Sequence, residues 1–262
     1  MGCPDESMSA DSTLVEVELK LFLQPDQKET LQAGMSVHQE KAFWDTYYDV
    51  PSHVLSCQDW WLRQRGANWE LKVPWFGGHD SRGTHSYEEV VEHSEILGRL
   101  GEILGENIAT EEFVSMEAIL KAIGLAPFAR LHTARTSLRA SDDVAASFGV
   151  RTLQVDMDTV TFDPSFAEQE LAAKKGAGEP FVLAEVEVVT ERQQEAVNAA
   201  EEAVDLFLEE WGLKTAPTAY SKLLEYMSRL RPTHLDALGR VGIVPDVALA
   251  QRSNGLAQVS AL

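Results

Sequence analysis

Leu14-Val15-Glu16-Val17-Glu18-Leu19-Lys20 is the stretch that decides the fold. Side chains of an extended strand point alternately to opposite faces, so Glu16, Glu18 and Lys20 share one face while Val15, Val17 and Leu19 share the other. Taken singly, such a segment describes a half-exposed strand with a solvated charged side. The pattern recurs, however. Trp61, Arg63 and Arg65 share a face; Glu70 and Lys72 share one in the next segment. Asp156 and Asp158 stand two apart in QVDMDTV, and Glu185 and Glu187 stand two apart in LAEVEVV, where every neighbour is apolar. Like charges at that spacing repel, so strands that gather charged faces of complementary sign point to a charged interior.

Working outward, alternating segments read as strands at about 14–23, 38–49, 59–66, 69–74, 84–92, 127–139, 150–162 and 181–190. Gly66-Ala67-Asn68 is the expected hairpin turn, and 75–84, with Gly77, Gly78 and Gly83, the expected loop. Helical periodicity covers 94–104 and 110–124. The second of these is capped by Thr110, with Glu111 and Glu112 in its first turn and an apolar stripe of Phe113, Met116, Ile119, Leu120 and Ile123. A longer helix over 191–212 steps through Val197, Ala200, Val204, Phe207 and Trp211. Another runs from a Thr218 cap to about Leu230, ahead of Pro232. The stretch 167–180, AEQELAAKKGAGEP, reads as a flexible excursion, and the tail from Gly242 carries no period. Strands outnumber what a βαβ protein needs and do not alternate strictly with helices. The fold class is therefore α+β, an antiparallel barrel or strongly curved sheet with helices outside. The domain plan is a tail over 1–12, one domain over 13–232, and a C-terminal helix and loose tail over 233–262.

The 262 residues are 44% hydrophobic and 24% charged, enough for a sizeable core. Lys and Arg number 22 against 42 Asp and Glu, a net charge of -20. Nucleic acid and anionic membranes select basic surfaces, so neither is expected as a partner. A local cluster of cations still suits a small anion. The two cysteines, Cys3 and Cys57, make neither a disulfide framework nor a zinc site. The first 13 residues lack a signal-peptide pattern, no 18-residue apolar run is present, and Glu6 spoils the Met-Gly-Cys acylation signal. A cytoplasmic location is expected. There is no GxxxxGK[ST] loop and no HExxH, and the seven histidines are scattered. His132 reads as a packed or exposed residue, and Glu201-Glu202 and Glu209-Glu210 as solvated helix faces.

The segment Glu16-Val17-Glu18-Leu19-Lys20 resembles the ExExK signature of the CYTH superfamily, the triphosphate tunnel metalloenzymes. FWDTYYDVP (43–51), DWWLRQRGANWELKVP (59–74), QVDMDT (154–159) and AEVEVV (184–189) resemble its thiamine-triphosphatase branch. The resemblance runs in order from about Val15 to about Pro232. It implies an eight-stranded antiparallel β-barrel, a tunnel, acting as a monomer. It also implies hydrolysis of the terminal phosphate of a small-molecule substrate, thiamine triphosphate, with Mg2+ as cofactor and Mn2+ as a substitute. Carried over by position, Lys20, Arg63, Arg65, Lys72, Arg135 and Lys222 match the cations that bind the triphosphate. Glu16, Glu18, Asp156, Glu185 and Glu187 match the metal-binding acids, and Trp61 the aromatic that stacks on thiamine. Lys72 and Arg65 are the expected catalytic residues. Gln64, Ala134 and Glu88 stand where basic residues are familiar, which reads as a loss of peripheral cations.

The chemistry suits these residue types. Mg2+ takes oxygen ligands from a few carboxylates plus substrate phosphates. Six cations against five acids leave the site at a formal +1, so one Mg2+ makes it +3 and two make it +5, a match for a polyanion. Arginine forks grip phosphate oxygens, and phosphoryl transfer needs positioning and charge stabilisation above all. No Ser or Cys nucleophile with a His partner is evident, so water is expected to attack directly. Metal-activated water and a lysine of lowered pKa are the two candidate bases. Trp61 offers a cation–π surface for a thiazolium ring. Trp60, Trp69 and Trp75 read as packing, and the Tyr47-Tyr48 pair as substrate contact or core. Rival functions are a broad inorganic tripolyphosphatase, an adenylate cyclase relative, and a non-catalytic triphosphate- or polyphosphate-binding module.

Overall fold

The computed structural model describes residues 14–21, 23, 25–79, 85–106, 108, 115–168, 171, 179–213 and 221–244. Eight strands close into one barrel: β1 (Leu14–Leu21), β2 (Ser36–Asp49), β3 (Trp61–Arg65), β4 (Asn68–His79), β5 (His85–Val90), β6 (Ala126–Arg139), β7 (Gln154–Phe162) and β8 (Phe181–Glu191). Around the barrel the order is β1-β5-β4-β3-β2-β6-β7-β8, and every neighbouring pair is antiparallel. β8 returns to β1 along a ladder from Leu14↔Glu191 to Leu21↔Ala184. Closure leaves these strands without an open sheet edge.

The helices are α1 (Pro25–Gly34), α2 (His93–Leu104), α3 (Met116–Ala122), α4 (Asp142–Ser147), α5 (Gln194–Glu210), α6 (Lys222–Leu230) and α7 (Pro232–Arg240). Two apolar clusters lie on the outside of the wall, beneath these helices. Val15, Val17, Val155, Val186 and Val188 pack against Val197, Ala200, Val204 and Phe207 of α5. Leu62, Leu71, Val73 and Val90 meet Ile96 and Leu100 of α2 and Ile119 and Leu120 of α3. Ala129, Leu131 and Leu183 lie instead on the inner face, opposite Tyr47, Asp45 and Asp158, and meet Tyr226, Met227 and Leu230 of α6 and Leu235 and Leu238 of α7. Each fully buried Val, Leu or Phe contributes about 1.5–3 kcal/mol relative to exposure. The two outer clusters therefore stabilise the wall and leave the rest of the interior free to be polar. Among the described residues no helix is long and apolar enough to cross a membrane.

Several boundaries differ from expectation. β4 does not stop at Pro74 but continues to His79, because an irregular register lets it rejoin β5 at His79↔His85. The cap of α3 is Ser115, whose hydroxyl accepts from Ala118 N at 3.2 Å. The cap of α6 is Ser221, whose hydroxyl accepts from Leu224 N at 3.1 Å. Periodicity carries no signal for α1 or α4. Leu31 is the one buried side chain described in α1, and α4 is six residues long behind its Ser141 cap. Gly34 ends α1 against Trp211, the residue that follows α5; a Cβ there would fall 2.6 Å from the indole, closer than van der Waals contact allows. The expected tail over 1–12, the caps Thr110 and Thr218, Glu111, Glu112 and Phe113, residues 80–84, most of 167–180 and the chain beyond 244 lie outside the described residues.

Candidate functional site

Residues directly opposed across a ladder point to the same side of the sheet. That rule carries the charged face of β1 around the whole barrel. Lys20 faces Glu185, which faces Asp156; Glu18 faces Glu187, which faces Gln154. Asp158 faces Arg135. Arg65 faces Asp45, Arg63 faces Glu70, and Trp61 faces Lys72, which faces Glu89. The residues expected at the site, five acids, six cations and Trp61, therefore line one lumen. Lys222 enters it from the first turn of α6.

Two groups form within the lumen. In the first, Arg135 spans Asp158 with Nε at 2.7 Å and Nη2 at 2.6 Å, contacts Glu185 at 2.7 Å and also pairs with Asp156. Lys222 Nζ donates to Asp158 at 2.6 Å and to Glu185 at 3.4 Å. In the second, Lys72 pairs with Glu16, with Glu89 at 3.1 Å and with Glu18 at 3.5 Å, while Lys20 pairs with Glu18. Arg63 Nε donates to Glu70 at 2.7 Å, and Arg65 spans Asp45 at 2.7 and 2.9 Å. The Arg65 guanidinium also lies over the Phe43 ring, 4.0 Å from its centroid.

The acid set implied by the resemblance omits Asp45, Glu70, Glu89 and Asp158, though strand alternation and the hairpin register place them on the lumenal face. With them, these groups are nine carboxylates against six cations, a formal charge of -3 in place of the expected +1. Lys41, opposite Arg135 on the same face, is also absent from the expected cations and is exposed. Gln64, Ala134 and Glu88 are no losses from the tunnel, because each is one residue out of phase with the lumen and faces outward. Gln64 Nε2 donates to Glu117, beside α3's Met116, at 2.8 Å, and Glu88 pairs with Arg192 at 2.9 Å and Arg99 at 3.3 Å. Tyr47 and Tyr48 also divide by alternation: Tyr48 packs outside on Trp69, their centroids 4.9 Å apart. Trp60, Trp69 and Trp75 belong to the outer apolar clusters, as expected.

Electrostatics separate the acids. Burial together with the carboxylates of Glu16, Asp156 and Glu185 pushes Glu187 up to about 9. Burial also raises Glu16 against the pull of Lys72, and Asp156 against the pull of Arg135. Burial opposes ionisation of Glu18 too, but Lys20 and Lys72 outweigh it and hold it at about 2. Lys222 and Arg135 likewise hold Glu185 well below the usual range in spite of its burial. Glu16, Asp156 and Glu187 thus form a patch where negative charge exceeds its compensation. Oxygen-only donors of that kind fit a hard divalent cation such as Mg2+. The expectation of a lysine of lowered pKa is not met at Lys72. Burial acts to lower it, but Glu16, Glu18 and Glu89 prevail and raise it well above the ordinary lysine value. Lys222 is raised in the same way by Glu185 and Asp158 against its burial. Both are fixed ammonium groups.

Among the described residues one other group of potential ligands, Asp49, His53 and His234, lies beyond the last β2–β3 pair. The Asp49 oxygens already accept from Val50 N at 2.7 Å, Leu55 N at 3.1 Å, Ser56 N at 3.0 Å and Ser56 Oγ at 2.6 Å. Ser56 Oγ lies 2.7 Å from His234 Nε2, and the rings of His53 and His234 stack at 3.7 Å, 13° from parallel. Parallel rings do not converge their lone pairs on one ion. This group reads as a latch between the 50–59 connection and α7.

The CYTH domain family matches residues 14–216. The chain is 30% identical over 232 residues to a thiamine-triphosphatase of Macaca fascicularis, covering 86% of this chain and 89% of the relative. It is 29% identical over 227 residues to a thiamine-triphosphatase of Homo sapiens, covering 84% and 86%. Among solved structures, the PH1819 protein of Pyrococcus horikoshii OT3 is similar with a TM-score of 0.48 at 17% identity, covering 79% of this chain and 96% of that one.

Proposed function

The chain belongs to the CYTH family, and on that premise we propose that it hydrolyses thiamine triphosphate to thiamine diphosphate and phosphate with Mg2+, as a cytoplasmic monomer. The observation that carries this reading is the lumen itself: six buried or half-buried cations and nine carboxylates converge in one closed barrel. Carboxylates outnumber cations among these groups, which disfavours a polyanion; each Mg2+ would add two positive charges and favour its binding. Mg2+, or Mn2+ in its place, would be held by Glu16, Glu18, Asp156, Glu185 and Glu187 and would supply charge neutralisation at the phosphate oxygens.

The chain's own residues do the positioning. Arg63 and Arg65 present planar forks to phosphate oxygens, and Lys20, Lys72, Arg135 and Lys222 supply further charge from other walls. Each of these cations is aimed by a carboxylate, so the donors are preorganised where charge develops in the transition state. Lys72 and Arg65 act as charge stabilisers. Water is the nucleophile, attacking in line with the leaving diphosphate. The Ser56 hydroxyl, although 2.7 Å from His234, donates to Asp49 at 2.6 Å and is therefore not activated by that ring. Trp61 stacks on the thiamine moiety beside Lys72.

A second reading is a tripolyphosphatase indifferent to the organic group, since every cation in the lumen addresses phosphate. The deciding experiment is phosphate release from thiamine triphosphate, tripolyphosphate and ATP, each with Mg2+ and with EDTA. Metal-dependent hydrolysis favouring thiamine triphosphate supports the first reading. Faster tripolyphosphate hydrolysis supports the second, and no turnover by folded protein supports a binding module.

A further inference from the structure

Asp59 ends a short 3-10 turn (Ser56–Gln58) with φ at 63°, a left-handed conformation uncommon for a residue with a side chain and best tolerated by Asp and Asn. Two bonds close the turn: Asp59 N donates to Ser56 O at 3.0 Å and Trp60 N to Leu55 O at 3.0 Å. The Asp59 side chain is buried, the residue only 4% exposed. Its carboxylate accepts from Trp61 Nε1 at 2.8 Å and from the Tyr87 hydroxyl at 3.1 and 3.2 Å. Tyr87 is on β5, two strands away across β4. Asp59 thus ties the indole of β3 to a residue on another wall of the barrel.

We infer that Asp59 is the positioning residue that holds Trp61 as the platform for the organic cation of the substrate. This rests on the reading of Trp61 given under the proposed function. Three physical reasons support it. Trp61 is half-buried and lies opposite Lys72 on the lumenal face, so its ring borders the phosphate-binding cations. An indole fixed through its only polar atom loses the rotamer freedom that stacking would otherwise have to overcome. An anionic acceptor on the N–H also adds electron density to the ring, which strengthens attraction for a thiazolium. Glycine and asparagine fit the left-handed backbone, so the side chain can be altered there without straining the turn.

The test compares kcat/KM for thiamine triphosphate and for tripolyphosphate in wild type, Asp59→Gly, Asp59→Asn, Trp61→Phe and the double variant Asp59→Gly/Trp61→Phe. In Asp59→Gly the ratio of the two constants is expected to fall about tenfold, the scale of one cation–π contact. Asp59→Asn, which keeps an oxygen acceptor, is expected to recover part of that ratio. In the Trp61→Phe background, where no N–H exists, Asp59→Gly should change the ratio no further. Equal losses on both substrates in Asp59→Gly, or an effect that persists in full beside Trp61→Phe, would overturn the inference. Its failure is distinct from failure of the functional reading, which shows instead as wild type without preference for thiamine triphosphate.

Discussion

Arg135 grips Asp158 through two parallel hydrogen bonds of 2.7 and 2.6 Å, and Lys222 closes on the same carboxylate at 2.6 Å. Asp158 has no solvent exposure. Its oxygens are thus committed to aiming two cations. Its neighbour Asp156, two residues along the same strand, also accepts from Gln154 at 3.0 Å, and the same amide donates to Glu187 at 2.9 Å. Adjacent acids of one strand face therefore do different work, one anchoring cations and one contributing to an acidic patch.

Replacing Asp158 by Asn breaks the anchor and leaves Lys222 with Glu185 as its carboxylate partner at 3.4 Å. Removing one member of a buried ionic cluster costs about 3–5 kcal/mol. Urea denaturation should show a loss of that order for Asp158→Asn, and an unchanged midpoint would contradict the anchoring role.

Glu187 stands among Glu16, Asp156 and Glu185, and burial adds to their repulsion. Glu187→Gln relieves that crowding. Its melting temperature without metal should therefore equal or exceed wild type, while the rise produced by Mg2+ in wild type and the turnover of thiamine triphosphate should both disappear. Wild-type turnover in folded Glu187→Gln would sink the metal assignment.

Trp61→Ala should weaken kcat/KM for thiamine triphosphate about tenfold more than for tripolyphosphate, the scale of a cation–π contact. Parallel losses on both substrates would argue against stacking.

His234 is fully buried, and burial, His53 and Arg231 hold it down to about 3 from an ordinary 6.5. In the unfolded chain it takes up a proton below about pH 6.5; in the folded chain it does not until about pH 3. Its contribution is complete above about pH 6.5 and is lost as pH falls through that window, by about 1.4 kcal/mol per pH unit. Denaturation midpoints of wild type and His234→Gln, compared between about pH 7 and pH 4, should show the flatter dependence in the variant. Identical slopes would contradict the burial of a neutral imidazole.

Phe207 of α5 is fully buried against the barrel and meets Phe148 edge-on, with centroids 5.6 Å apart. Phe207→Ala should cost about 3–5 kcal/mol in chemical denaturation. A loss below about 1 kcal/mol would mean that α5 does not brace the wall.

The alternating charges of β1, β3, β4, β7 and β8 sufficed to expect a charged interior, because the two-residue period of a strand is local chemistry and needs no partner. The apolar stripe of α5 was legible for the same reason, its period of about 3.6 being written in Val197, Ala200, Val204 and Phe207. Tertiary structure alone decided which strands are neighbours. That choice put Asp45, Glu70, Glu89 and Asp158 beside the expected cations, turned the group from a formal +1 to -3, and set Gln64, Ala134 and Glu88 outside it. It also brought Asp59 to Tyr87, 28 residues away in the chain. Sequence carries the face on which a side chain lies; the charge it meets there depends on strand order and register, which closure of the barrel sets over long separations.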